Sequence, residues 1–170
     1  TGVQTCALPI LNEDDQREAP FVPPRADLPN GVPNYVTPTG MESLLKEKEL
    51  LLAKLKELTI GDDHDTANAI AIVNTQFQML ENRITSAQVI SAEAESDHEI
   101  RFGSTITLQI GDDKKVQKFQ IVGVDEADIK QGKISFISPL ARVLIQKKVN
   151  ETVALKLSNR ETKFKVISIE

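Results

Sequence analysis

Apolar positions along this chain recur at three- and four-residue steps in one half and alternate with polar ones in the other. From Thr39 the spacing is helical. Leu44, Leu51, Leu55 and Leu58 share one stripe, and Leu45 and Leu52 widen it. Thr39 with Glu42 three residues on forms a capping box that opens this helix, and Gly61 closes it. Beyond the polar turn Asp62-Asp63-His64-Asp65-Thr66, a second helix carries Ile70, Val73, Phe77, Leu80 and Ile84 as a heptad seam. Two such helices joined by a short polar turn predict an antiparallel hairpin over residues 39–90.

From about Glu99 the period changes from helical to alternating. Thr105 to Ile110 alternates and is rich in β-branched residues, which predicts a strand. A turn at Gly111-Asp112-Asp113 leads to a second strand over Val116 to Val124, and Lys133 to Ile137 is a short third. Ser138 suits an N-cap and Pro139 the first helical position, so a short helix is predicted over Leu140 to Lys147. Glu151 to Leu157 and Thr162 to Ile169 close the set as two further strands. Residues 99–170 therefore predict a mainly antiparallel sheet with one face on a single helix, and the fold class is α+β.

Residues 1–38 break both patterns. Glu13, Asp14, Asp15 and Glu18 give way to a run of prolines from Pro20 to Pro38, with few large apolar residues to offset ordering entropy. A disordered acidic and proline-rich lead is expected, serving as a docking tail or a plain linker. Thr1 to Ile10 differs abruptly in composition from the acidic stretch after it and resembles translated adapter sequence, so Cys6 is set aside with it. As the single cysteine, Cys6 leaves no internal disulfide and no Cys-based zinc site. His64 and His98 are too few and too isolated for a His-rich metal site. The net charge of −5 gives no global basic field for a nucleic-acid duplex. No apolar run reaches the ~20 residues of a membrane span. A cytoplasmic monomer with no membrane association is expected.

The ordered blocks of the second half carry a resemblance. Phe102-Gly103-Ser104-Thr105, Ile121-Val122-Gly123, Asp125-Glu126-Ala127-Asp128, Gly132-Lys133-Ile134-Ser135 and Ser138-Pro139-Leu140-Ala141-Arg142 fall in the order of the C-terminal domain of the Gre transcript-cleavage factors. Thr37 to Ile90 resembles that family's N-terminal coiled coil through its Thr-x-x-Gly start and its exit at Ala87-Gln88-Val89-Ile90. The resemblance implies a coiled-coil hairpin joined to a C-terminal domain of FKBP-like topology. It implies RNA polymerase as partner, with nascent RNA met only inside that complex. The C-terminal domain would grip the rim of the polymerase secondary channel, with Asp125, Ser138 and Pro139 near the contact surface. The hairpin would enter the channel, where tip acids help hold a magnesium ion of the polymerase and promote cleavage of backtracked RNA. The factor would have no cofactor of its own and would be an accessory, not an enzyme.

Asp62 and Asp65 occupy the places of the family's first two tip acids, while Thr66, Asn68 and Ala69 depart from its Asn, Glu and Tyr. Acids at a turn also suit plain helix capping. The first arm is roughly nine residues shorter than the family's, on the order of 13 Å less reach at ~1.5 Å per residue. A non-cleaving occupant of the secondary channel is therefore the alternative. Two other classes are weaker. A peptidyl-prolyl isomerase needs an aromatic-lined pocket, and the chain has no Trp and one Tyr. A plain coiled-coil adaptor leaves the ordered C-terminal blocks unexplained. Lys46, Lys48, Lys54 and Lys56 could steer the hairpin towards RNA, but they alternate with Glu42, Glu47, Glu49 and Glu57 as a solvated flank does.

Overall fold

A computed structural model describes residues 21–60, 64–91, 99–111, 115–157 and 160–170; of His64, Asp65, Leu157 and Arg160 only the backbone is described. Two helices, α1 (Pro38–Ile60) and α2 (His64–Ser86), run antiparallel as the hairpin. Leu44, Val73 and Leu80 are buried between them, and Leu51, Leu55, Leu58, Ile70, Phe77 and Ile84 are partly buried. Leu45 and Leu52, expected to widen the stripe, face outward at 43% and 39% exposure. The seam is thus narrow, as in a two-stranded coiled coil.

The start of α1 differs from its prediction. Pro38 is the first helical residue, and Thr37 is the cap, with its hydroxyl accepting from the Gly40 N–H at 3.0 Å. Proline at N1 has no N–H to satisfy and a backbone already preset for the helix. That signal outranks the Thr39–Glu42 pair.

The proline-rich lead, expected to be disordered through Pro38, is in its described part an extended strap held at the hairpin base. Its end forms β1 (Asn34–Val36), which pairs in parallel with β2 (Ala87–Val89) just beyond α2. This two-stranded ribbon was not predicted. Three residues are too short a run to show alternation, and the pairing joins positions some fifty residues apart.

The second half builds a five-stranded sheet in the order β5-β4-β3-β7-β6. Its strands are β3 (Thr105–Ile110), β4 (Lys115–Val122), β5 (Lys133–Ser135), β6 (Thr152–Leu157) and β7 (Arg160–Ile169). All neighbours are antiparallel except β4 and β5, so the sheet is mixed. Between β4 and β5 lies one 3-10 turn, Ile129–Gln131, capped by Asp128 and ended by Gly132 in the left-handed region. α3 (Pro139–Leu144) packs its Ala141 and Leu144 onto the inner sheet face with Ile106, Leu108, Ile121, Phe164 and Val166. It stops three residues short of the expected end. Gln146 takes φ 69° and donates its N–H to the Ile100 carbonyl at 2.8 Å, so the chain turns to pair with the segment before β3. The α+β class and the hairpin-plus-sheet plan stand.

Candidate functional site

The base of the hairpin is where three segments meet: the strap, the helices and the turn after β4. Helix α1 has unsatisfied N–H groups at its start, and the usual remedy is a capping box in which the third residue reaches back to the cap N–H. Here that residue is Gly40, which has no side chain. Glu126, from the second half, does the work instead. Its Oε1 accepts from the Thr37 N–H at 2.9 Å, and its Oε2 accepts from the Thr37 hydroxyl at 2.5 Å. The glycine is what makes room, because a Cβ at position 40 would lie 2.0 Å from the Glu126 Cδ. A carboxylate at a helix N-terminus is also favoured by the helix dipole.

The other helix is finished by the strap. Asn34 is 3% exposed, and its Nδ2 donates to the Arg83 carbonyl at 2.8 Å and to the Ser86 hydroxyl at 3.1 Å. Backbones also approach closely here. A Cβ on Gly123 would meet the Tyr35 carbonyl at 2.5 Å.

Asp125 sits beside this junction with its side chain 6% exposed. Arg25 of the strap donates to its Oδ1 at 3.2 Å and reaches both oxygens of Glu47 on α1, at 2.7 and 3.0 Å. Arg83 of α2 places Nε 3.0 Å from the Asp125 Oδ2, an ion contact without hydrogen-bond alignment. Arg83 also donates to the Ala26 carbonyl of the strap. The Arg25 guanidinium is held above the usual arginine range chiefly by its hydrogen bond to Glu47, with burial opposing. Asp125 thus ties the strap and α2 to the second half, and Arg25 extends the cluster to Glu47 of α1.

The expected partner-contact residues fall in two places. Asp125 presents no free carboxylate, since both of its oxygens face arginines. Ser138 caps α3, accepting from the Ala141 N–H at 3.2 Å, and Pro139 next to it is exposed. Of the tip acids, Asp62 lies outside the described residues, and Asp65 is the second residue of α2. α1 is 23 residues long, about 34 Å from its start at the base to its far end. Among the described residues no group of three or more His, Cys, Asp or Glu could hold a metal. Lys48, one of the four helix lysines, pairs with Glu81 across the seam and lies 5.9 Å from the Phe77 ring centre.

The rings of Tyr35, Phe102 and Phe136 pack against one another at tilted and edge-on angles with centroids 5.5–5.7 Å apart, and Tyr35 comes from the strap. Arg25, Thr37, Gly40, Arg83 and Glu126 were not singled out as site residues from the sequence. The Thr37-Pro38 pair was a legible cap signal. Nothing local links Glu126 to Thr37, 89 positions away.

Residues 95–170 match the family model for the C-terminal region of the GreA/GreB transcription elongation factors. The chain is 36% identical to transcription elongation factor GreA of Sphingopyxis alaskensis over 137 residues, which is 76% of this chain and 86% of that protein. It is 36% identical to the GreA of Vibrio vulnificus over 138 residues, 76% and 88% of the two chains. Transcription elongation factor GreB of Neisseria meningitidis serogroup B is 30% identical over 153 residues, 81% and 93% of the two. Among solved structures, GreA factor homolog 1 of Thermus thermophilus aligns at 23% identity with a TM-score of 0.39, covering 80% of this chain and 97% of that one.

Proposed function

The chain belongs to the GreA/GreB family of transcription elongation factors, and from that premise we propose that it binds RNA polymerase at its secondary channel and promotes cleavage of backtracked RNA. The observation that carries this reading is a helical hairpin fixed at its base to the family-matching half. Pro139, exposed at the start of α3, and Ser138 would meet the polymerase rim. Asp125 would act through the cluster it organises.

At the tip, Asp62 and Asp65 would supply hard oxygen ligands of the kind magnesium takes. A magnesium ion of the polymerase, when so bound, would supply charge stabilisation for phosphodiester hydrolysis. The chain would contribute position and two carboxylates and no nucleophile. A second reading, in which the hairpin occupies the channel without cleavage, is favoured by the departures at Thr66, Asn68 and Ala69 and by the short first arm.

The test is RNA cleavage in purified, artificially backtracked elongation complexes, with and without the protein. Cleavage should accelerate. The Asp62→Asn/Asp65→Asn double variant should lose that stimulation while retaining affinity for polymerase. Binding without any cleavage by the native protein would establish the second reading. Equal stimulation by the double variant would remove these acids from the mechanism.

A further inference from the structure

The charge of the chain is unevenly divided. Residues 99–170 hold thirteen Lys and Arg against nine Asp and Glu, a formal +4, whereas residues 1–98 hold seven against sixteen, a formal −9. Part of the positive excess lies on one surface. On β3 the inward residues Ile106 and Leu108 leave Thr107 and Gln109 pointing outward. Their cross-strand partners share that outer face. Lys118 stands opposite Thr107, and Lys165 opposite Gln109. Lys163, two residues before Lys165, stands opposite Ala154 of β6, and Lys156 comes two residues after Ala154. All four lysines are exposed. Two acids border this face: Lys118 pairs with Glu170 at 2.7 Å, mostly in water, and Lys156 stands opposite the exposed Glu161, while Lys163 and Lys165 face Ala154 and Thr152 of β6.

We propose that this outer face of the sheet, turned away from α3, binds the sugar–phosphate backbone of single-stranded nucleic acid. The composition favours such an occupant over a protein. Protein interfaces are depleted in lysine and anchored by large aromatic or arginine side chains. This face offers lysines with Thr107 and Gln109 between them, the donors that phosphate and sugar contacts use. Lys163 and Lys165 stand about 7 Å apart along one strand at ~3.4 Å per residue. The broad face of a five-stranded sheet has no projection to enter a duplex groove, but a flexible strand can lie across it. The four phenylalanines of this half, Phe102, Phe119, Phe136 and Phe164, are buried or partly buried in the core, so no ring is offered for base stacking. Binding is therefore electrostatic, independent of sequence and sensitive to salt. It goes beyond the polymerase reading and needs no polymerase to test.

The experiment is fluorescence anisotropy of a labelled single-stranded RNA oligonucleotide with the full chain at several salt concentrations. Four phosphate contacts predict a log–log salt slope of about −2.8, a roughly 50-fold loss of affinity between 50 and 200 mM salt. The variant with Lys118, Lys156, Lys163 and Lys165 all changed to Gln should weaken binding at least about tenfold at low salt and flatten the slope. The same four changed to Arg should restore both, which separates lost charge from a damaged fold. Unchanged binding by the Gln variant would overturn the proposal. So would loss of binding on changing Lys46, Lys48, Lys54 and Lys56 to Gln instead, or no binding at 50 mM salt. Stronger binding of an Asp/Glu-rich peptide than of RNA would reassign the face to an acidic protein.

Discussion

Gly40 shows how much one missing side chain can decide. The cap of α1 is completed by Glu126 only because position 40 is empty, and a Cβ there would overlap the carboxylate. Gly40→Ala would normally help a helix interior by roughly 0.5–1 kcal/mol. Here it should destabilise, by about 1–2 kcal/mol, through expulsion of Glu126 and loss of the cap. Glu126→Gln should cost less, because an amide oxygen can still accept one of the two bonds. Urea unfolding of the three proteins checks the order; a Gly40→Ala protein more stable than the native one would refute it. At this scale the sequence was half legible. Thr37-Pro38 announces a helix start locally. Glu126 in an Asp-Glu-Ala-Asp run announces only a turn, because its partner is distant in the chain.

Elements were more legible than their joints. The two helices and the five strands of the sheet are foreseen by periodicity and turn signals, since burial of one face imposes a period on each. The parallel ribbon of β1 and β2 is not, because it is set by the segment lying across from it. The strap was hidden for another reason. Proline-rich segments with few large apolar residues usually stay disordered, and this one is held by Arg25, by backbone contacts and by Tyr35 and Val36 at its end. Arg25→Ala would remove the bridge between Glu47 and Asp125 and leave Asp125 with Arg83 alone. Hydrogen exchange should then quicken in the first turns of α1 and the last turn of α2, while β3 and β7 stay protected. Equal exchange across the hairpin base in both proteins would show that the strap is passive.

For the whole molecule, the joint fixes where the hairpin points and the helix length fixes how far. An interface tied by Asp125, Glu126, Asn34 and the Tyr35 ring holds the two helices in one direction from the second half. Reach is then the remaining variable. Seven residues added to each arm keep the heptad seam in register and lengthen the hairpin by about 10 Å. If cleavage is limited by reach, that insertion should raise stimulation in backtracked complexes. Unchanged or lower stimulation would place the limit in the tip residues. The Glu126–Gly40 contact also ties the two halves in their history. An ancestor or descendant with a bulky residue at 40 must have found another way to finish its helix, and one that lost the carboxylate at 126 was freed to fill position 40. The two codons, far apart in the gene, are expected to have changed together.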